Sequence, residues 1–446
     1  DRLRSRGLGD VYKRQVLWDK YHLLYLDGAY GWDQFDENKV SSRVMDYVAG
    51  NLSETGENSV FRTKLCEASL LEYMFATDND GTGMLRQASA YMKRHLPEDV
   101  AKKMYQQYQD GKKAEADGKT EYSVEDADQA IINAKKEKEQ ADQNDKEGAP
   151  QEEAGEKNIQ DNENNHAQDA EDGKKESPIQ IVLQLKQNAL LGMTVSDMSS
   201  LSAKAVEAKD MVSNRQCETG RYDMKKAEKM NVSDRVMVLE YIGKHFSDYT
   251  EPGKGDLTYE MEYILCGKDT DKKNLESSIE RLMRMREAAN VAHIIADREK
   301  LNQTLMIATS LAGFSGNPAV VKIVQIGVVA AWAYVESILD LRTLLSGGKI
   351  SLIKSAAEWT TDLKKLGEIV TGEGKARECK NGLSYQAYIK QLLFAMKEKK
   401  MAYRMMDIME LAMQKEQNGK NARMDHMIDN MICELRLSLI HISEPT

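Results

Sequence analysis

The chain has 446 residues, 30 % of them charged, and a formal net charge of −10. At that length it can hold two domains, each large enough to bury its own core. The charge is unevenly placed: positions 110–178 carry 21 Asp and Glu against 10 Lys, so the remainder sums to about +1 and offers no basic field to hold a nucleic-acid backbone.

Residues 1–15 and 437–446 are expected to be translated sequencing-adapter DNA. Ser5–Gln15 (SRGLGDVYKRQ) and Leu437–Thr446 (LSLIHISEPT) can be encoded by opposite strands of one DNA, the transposase mosaic end and its flank. Scars of this kind are set aside before fold reasoning. The natural chain is therefore expected to continue beyond Val16 and Arg436, and His441 drops out of any site argument.

Residues 16–109 read as an N-terminal α+β region. Trp18–Gly31 is apolar and ends in turn residues. Ser41–Leu52 places Val44, Tyr47, Val48 and Leu52 on one helical face. Leu70–Thr77 is short and aromatic-rich, a strand stopped by Asp78-Asn79-Asp80-Gly81. Helical spacing resumes over Met84–His95, and Pro97 opens a further helix to about Tyr108. Asp78–Gly81 resembles the start of a calcium loop, but the twelfth position is Ser89, one neutral oxygen where a bidentate carboxylate belongs. A tight turn leading into a helix is the reading.

Residues 110–178 contain one aromatic residue, Tyr122, among Asp, Glu, Lys, Gln, Asn and Gly. That composition buries too little apolar surface to offset backbone entropy, which predicts a long disordered acidic linker with a transient helix over Ser123–Gln140.

Residues 179–436 read as a mainly helical domain. Ile179–Leu191 opens it, and Ser233 caps a helix over Asp234–Phe246. Leu257–Cys266 alternates Leu257, Tyr259, Met261, Tyr263 and Leu265, which predicts a strand ended by Gly267. A long helix starts near Lys272, another covers 319–345 after Asn317-Pro318, and Ser346-Gly347-Gly348 stops it. Amphipathic helices are predicted over 355–370 and 384–417, then an element that begins at Asp425 and runs into the adapter. Ile323–Val335, the most apolar run, is shorter than the about 20 residues of a membrane span and reads as a buried core helix. The fold class is α+β, predominantly helical. A small antiparallel sheet, from 70–77, 257–266 and C-terminal strands, sits beside a helical domain.

Searches for chemistry return little. Ser346-Gly347-Gly348-Lys349 and Gly372-Glu373-Gly374-Lys375 lack the earlier glycine and the following Ser or Thr of a phosphate loop. Gly313-Phe314-Ser315-Gly316 has the wrong spacing for a nucleophile elbow, and no zinc-type histidine pair occurs. The five cysteines, Cys66, Cys217, Cys266, Cys379 and Cys433, form no C-x-x-C pair and read as small hydrophobes. No catalytic residue, metal or cofactor is predicted.

One polar cluster stands out on apolar helices. Arg286, Glu287, Asn290 and His293 lie among Leu282, Ala289, Val291 and Ile294, while Trp332, Glu336 and Asp340 recur every four residues on one face. If the two helices pair antiparallel, Arg286 meets Glu336 or Asp340. Buried charges must be paired, so the cluster reads as a salt-bridged network that fixes helix register, ahead of a paired-carboxylate site.

Three phrases carry a resemblance: TYEMEYILCGKDTDKKNL (Thr258–Leu275), RMREAANVAHIIAD (Arg284–Asp297) and VVAAWAYVESILDLRTLLSGGKISLIKS (Val328–Ser355). With WDKYHLLYLDGAYG from Trp18 and LLEYMFATDNDG from Leu70, they resemble the bacterial domain-of-unknown-function family 5702 over most of 16–436 outside the acidic linker. The resemblance implies one N-terminal membrane helix like that of TadE-like pilus proteins, a body facing the cell exterior, and closing strands after a segment like Asp425–Glu434. It brings no catalytic residue. The expected function is a non-enzymatic, membrane-anchored cell-envelope protein, an accessory or structural component of a Tad-like pilus or secretion system. Its partners would be envelope or pilus and secretion proteins, and the anchoring helix would lie upstream of this fragment. The alternatives are an extracytoplasmic protein-binding module and a hydrolase-like enzyme using buried carboxylates.

Overall fold

A computed structural model describes residues 16–27, 35–53, 62–97, 102–109, 124–147, 177–222, 230–367, 374–415 and 421–440. In chain order come β1 (Leu26–Asp27), α1 (Glu37–Ser53), β2 (Arg62–Phe75), α2 (Thr82–Lys93), α3 (Val124–Glu147), α4 (Pro178–Lys186) and α5 (Leu190–Thr194). Then follow α6 (Val232–His245), α7 (Glu260–Cys266), α8 (Asp271–Ala296), α9 (Arg298–Ala312), α10 (Pro318–Leu345), α11 (Tyr385–Phe394), α12 (Glu398–Gln414) and β3 (Met427–Ile440). The fold is α+β and predominantly helical, and among the described residues a small antiparallel sheet runs in the order β1-β3-β2.

Two compact units result. One gathers the described residues of Asp1–Gln109, Leu201–Ser278 and Gln386–Thr446; the other gathers those of Asp110–Ser200 and Ile279–Tyr385. They differ from the consecutive regions 16–109, 110–178 and 179–436. The reason is the sheet: β3, near the chain's end, pairs along the whole of β2, near its start.

The predicted strand at Leu70–Thr77 is the inner half of β2. Its side chains Leu70, Tyr73 and Phe75 pack with Val40 of α1 and Ile428 of β3, flanked by Phe35, Val44, Met431 and Cys433. Leu437–Ile440, read as adapter, extends β3 opposite Arg62–Leu65. A backbone ladder accepts any alternating sequence, whatever its origin, and Leu435, Leu437 and Leu439 alternate. At the other end of β2, Asn79 and Asp80 take left-handed backbone angles, which Asn and Asp tolerate. The Asp78 carboxylate turns inward and accepts from the amides of Phe75 (2.8 Å) and Gly220 (3.0 Å), so the turn is braced by backbone.

Leu257–Cys266 is not a strand. Its second part is α7, and every residue from Glu260 to Cys266 is buried. When both faces are covered, the alternation of apolar residues says nothing about period. The Glu260 and Glu262 carboxylates accept from the amides of Ser247 and Tyr249, both at 2.9 Å, which settles them in the interior. The helix ends at Gly267, φ 64°, with Arg404 donating to the carbonyls of Ile264, Leu265 and Cys266. Other differences are local. Asn231, rather than Ser233, caps α6 by accepting from the Asp234 amide. The helix expected over 384–417 breaks between α11 and α12, where Arg235 takes the carbonyls of Phe394 and Met396.

Within the region read as a linker, α3 is a continuous helix whose Val124, Ala127, Ile131 and Ala134 are buried, an apolar stripe packed against α10. Four apolar contacts at helical spacing suffice to dock an otherwise charged helix. The other residues of 110–176 lie outside those described. Helix α10 has a stretch of mean hydropathy 1.7, and 61 % of that stretch is buried, in keeping with a core helix. Its first turns are not covered: Ile323 is exposed.

Gly267 is a testable joint. A Cβ there would lie 2.3 Å from the Arg404 guanidinium, on top of the left-handed backbone strain. Gly267→Ala is expected to cost about 3 kcal/mol, strain plus carbonyls left without their donor. The shift in urea midpoint measures it, and a loss below about 0.5 kcal/mol, typical of an inert surface change, would mean that the joint is slack.

Candidate functional site

Helix α8 presents Arg286 and Asn290 one turn apart, and α10 presents Glu336, Ser337 and Asp340 on the facing side. The Arg286 Nε donates to Asp340 Oδ2 at 3.0 Å, and a terminal nitrogen donates to Asn290 Oδ1 at 3.2 Å. The other terminal nitrogen donates to the carbonyls of Ser351 (3.0 Å) and Leu352 (2.8 Å). Asn290 Nδ2 in turn donates to Ser337 Oγ (2.9 Å) and Asp340 Oδ2 (3.0 Å).

Glu336 is met by another cation. Lys354 pairs with Glu336 Oε1 and lies 2.5 Å from Asp340 Oδ1. The amides of Thr360 and Thr361 donate to the two Glu336 oxygens at 3.1 and 2.9 Å. All four charged side chains, Arg286, Lys354, Glu336 and Asp340, are 0 % exposed. Two positive and two negative charges cancel where water is excluded.

The structure thus brings together four of the six residues singled out in the sequence: Arg286, Asn290, Glu336 and Asp340. His293 stands beside them without joining the charge pairs. Its ring stacks on Trp359 at 4.8 Å, with Trp332 edge-on to Trp359 at 5.5 Å. Burial lowers the His293 pKa, which keeps the imidazole neutral beside Lys354 and Lys300. Glu287 faces elsewhere: burial raises its pKa, and its charged neighbours are Lys186 and Glu125.

Sequence reasoning missed Lys354 and the amides of Thr360 and Thr361. The helix predicted over 355–370 does not form in its first part: up to Asp362 the chain runs through turns, then a short 3₁₀ helix, Leu363–Lys365, leads into helical residues Leu366 and Gly367, the last described before 374. Amides that point into the Glu336 carboxylate are not free for an i→i−4 ladder. The available signal was Lys354 itself, the single cation in Ile350–Trp359.

The sheet-bearing unit has its own hub. Arg215 grips Glu410 through both terminal nitrogens (2.5 and 2.8 Å) and reaches Asp425 at 2.6 Å. Arg423 and the Glu218 amide also donate to Asp425. Burial alone would raise the Asp425 pKa, but these donors hold it well below the usual carboxylate range. Beside the hub is an open hollow of about 420 Å³ lined by Lys209, Asp210, Arg215, Glu410, Gln414 and Arg423. Among the described residues, no group of three or more His, Cys, Asp or Glu is arranged to hold a metal ion.

Residues 168–439 match the profile of the family of unknown function DUF5702. The chain belongs to that family. The match spans both the α8–α10 network and the Arg215 hub, so the DUF5702 region includes both polar centres. No curated protein and no solved structure matches the chain.

Two outcomes are expected. Asp340→Asn or Lys354→Met leaves a buried charge without its partner and should lose about 3–5 kcal/mol in urea unfolding. The two changes should be non-additive by more than about 1 kcal/mol in a double-mutant cycle, whereas additive losses below about 1 kcal/mol would place the pair in water. The second concerns His245, whose ring packs among His22, Tyr91 and Tyr241 with Nδ1 2.8 Å from the Lys20 carbonyl. Burial lowers its pKa from 6.5 to about 4, with the nearby Lys20, Lys244 and His22 acting the same way. The unfolded chain therefore takes the proton first, so stability present above pH 6.5 is lost as pH falls towards about 4. The thermal midpoint of His245→Gln should depend less on pH than that of the unaltered chain between about pH 7.5 and 5; parallel curves would rule the histidine out.

Proposed function

We propose that this DUF5702 chain is the non-enzymatic body of a membrane-anchored cell-envelope protein, an accessory or structural component of a Tad-like pilus or secretion system. The observation that carries the non-enzymatic part is the closure of the α8–α10 network. Its carboxylates are 0 % exposed and paired with Lys354 and Arg286. Groups so held define how two helices register; they present no face to a substrate. Anchoring and the pilus connection rest on the resemblance of the chain's first part, Trp18–Gly31 and Leu70–Gly81, to envelope members of the family.

A second reading, an extracytoplasmic protein-binding module, draws on the Arg215 hollow. Its lining mixes Lys209, Arg215 and Arg423 with Asp210 and Glu410. Such an open surface of both signs suits side chains of a protein partner better than an apolar small molecule.

The native gene, tagged in its own host, separates the readings. The envelope reading expects the protein in the membrane fraction, degraded by protease added outside intact spheroplasts, and crosslinked to pilus or secretion components. A cytosolic, protease-protected product would overturn it.

A further inference from the structure

The hairpin of α9 and α10 ends in a surface that a protein in water rarely offers. From Leu301 to Val321, twenty-one consecutive residues contain no Asp, Glu, Lys, Arg or His. The turn between the helices, Gly313–Asn317, and the first residues of α10, Pro318 and Ala319, are largely exposed. Around them Leu305 is 43 % exposed, Met306 73 %, Phe314 36 % and Ile323 40 %. The turn, Gly313–Pro318, has the Gly, Ser, Asn and Pro of any tight turn; what sets it apart is that no charged residue flanks it from Leu301 to Val321.

We propose that this end of the hairpin inserts into the interface of an anionic phospholipid bilayer. It stands on the hairpin alone and needs no upstream anchor.

Three features favour lipid over a protein partner. The first is how polar groups are satisfied. The Thr304 hydroxyl donates to the Leu301 carbonyl (2.7 Å), Thr309 to Leu305 (2.8 Å) and Ser315 to Ala312 (2.7 Å). The Asn317 side chain accepts from the Ala319 amide at 2.9 Å, capping α10. Polar atoms bonded within their own helix can leave water at little cost, the condition that hydrocarbon imposes.

The second is shape. The exposed apolar side chains lie along the last two turns of α9, the turn and the first two turns of α10, with α3 alongside. Fluid lipid conforms to an uneven end of this kind, whereas a protein partner must supply a matching groove. From Met306 to Gly313 a helix advances about 10 Å, comparable to the depth an interfacial element reaches.

The third is charge at the margin. Lys322, which is exposed, follows the uncharged stretch, whereas Lys300 before it is turned onto Asp297 and Trp359 at the far end of α9. Lys138 of α3 stands 5.7 Å from the centre of the Phe314 ring. Lysines flanking an apolar end keep their ammonium groups at headgroup level and favour anionic lipid.

Flotation of the full chain with vesicles tests this, one set of phosphatidylcholine and one containing about 30 % phosphatidylglycerol. The chain should float with the anionic set and more weakly with the neutral one. Met306→Glu combined with Ile323→Glu, both on exposed side chains, should reduce bound protein about tenfold or more. Tyr47→Glu, at an apolar side chain that is 76 % exposed on α1, should leave it unchanged. Lys138→Gln with Lys322→Gln should remove the preference for the anionic set. Circular dichroism verifies that each variant is folded, and Met306→Gln replaces the double variant if that one is not. The inference is overturned if the unaltered chain floats with neither set, or if the tip variants float as well as the parent. It is equally overturned if the tip variants only dissolve a dimer seen without lipid, which would assign the hairpin end to a second copy.

Discussion

Helices α8 and α10 cross a region from which water is excluded, and each brings charge into it. Neither Asp340 nor Glu336 could be carried there unpaired, since the transfer of an unpaired carboxylate out of water costs far more than the stability of a folded domain. Arg286 from the opposite helix and Lys354 from the segment after α10 make the arrangement possible. That requirement propagates. Lys354 can reach both carboxylates only if the chain folds back over α10, and the Arg286 guanidinium pins that return through the carbonyls of Ser351 and Leu352. Thr360 and Thr361 then fall into place on Glu336, and Trp359 lies between His293 and Trp332.

Such a network contributes specificity more than net stability. Apolar residues of equal volume could match its free energy, but they would tolerate a one-turn slip of α8 along α10. A slip here would separate Arg286 from Asp340 and Asn290 from Ser337 at once. The Arg215 hub applies the same device in the sheet-bearing unit. Asp425 stands just before β3, and Glu410 lies near the end of α12. Through both carboxylates, Arg215 ties the segment leading to β3 to the helix before it. In this chain long-range ion pairs tie together segments that lie far apart in sequence.

The tip of the α9–α10 hairpin is the counterpart of these closed centres. In the α8–α10 network charged groups are paired and hidden; at the tip the Thr309 and Ser315 hydroxyls are bonded within the hairpin and the Met306 and Ile323 side chains are exposed. The first arrangement is a solution to packing in water. The second suits a less polar medium.

Much of this was legible in the residues. Four-residue recurrence put Glu336 and Asp340 on one face, and pairing logic supplied Arg286 as their partner; the contact with Asp340 is as expected. The long apolar pattern of α10, the β2 strand and the turn at Asp78–Gly81 were also readable, because each rests on local spacing and turn chemistry. What failed did so where tertiary contacts override local pattern. The alternation in Leu257–Cys266 reads as a strand, yet burial on all sides and the two glutamates turned onto backbone amides make it a helix. The acidic stretch reads as a linker with a transient helix over Ser123–Gln140; the helix is there, running on to Glu147, and what local pattern did not reveal is that four of its apolar residues find α10. No periodicity could announce Lys354, since its role depends on a chain reversal that exists only once α10 is packed. Sequence alone determined which residues must avoid water and which charges must be balanced, since both follow from side-chain chemistry. Only the tertiary structure decided which partner does the balancing, because that depends on distances between segments far apart in the chain.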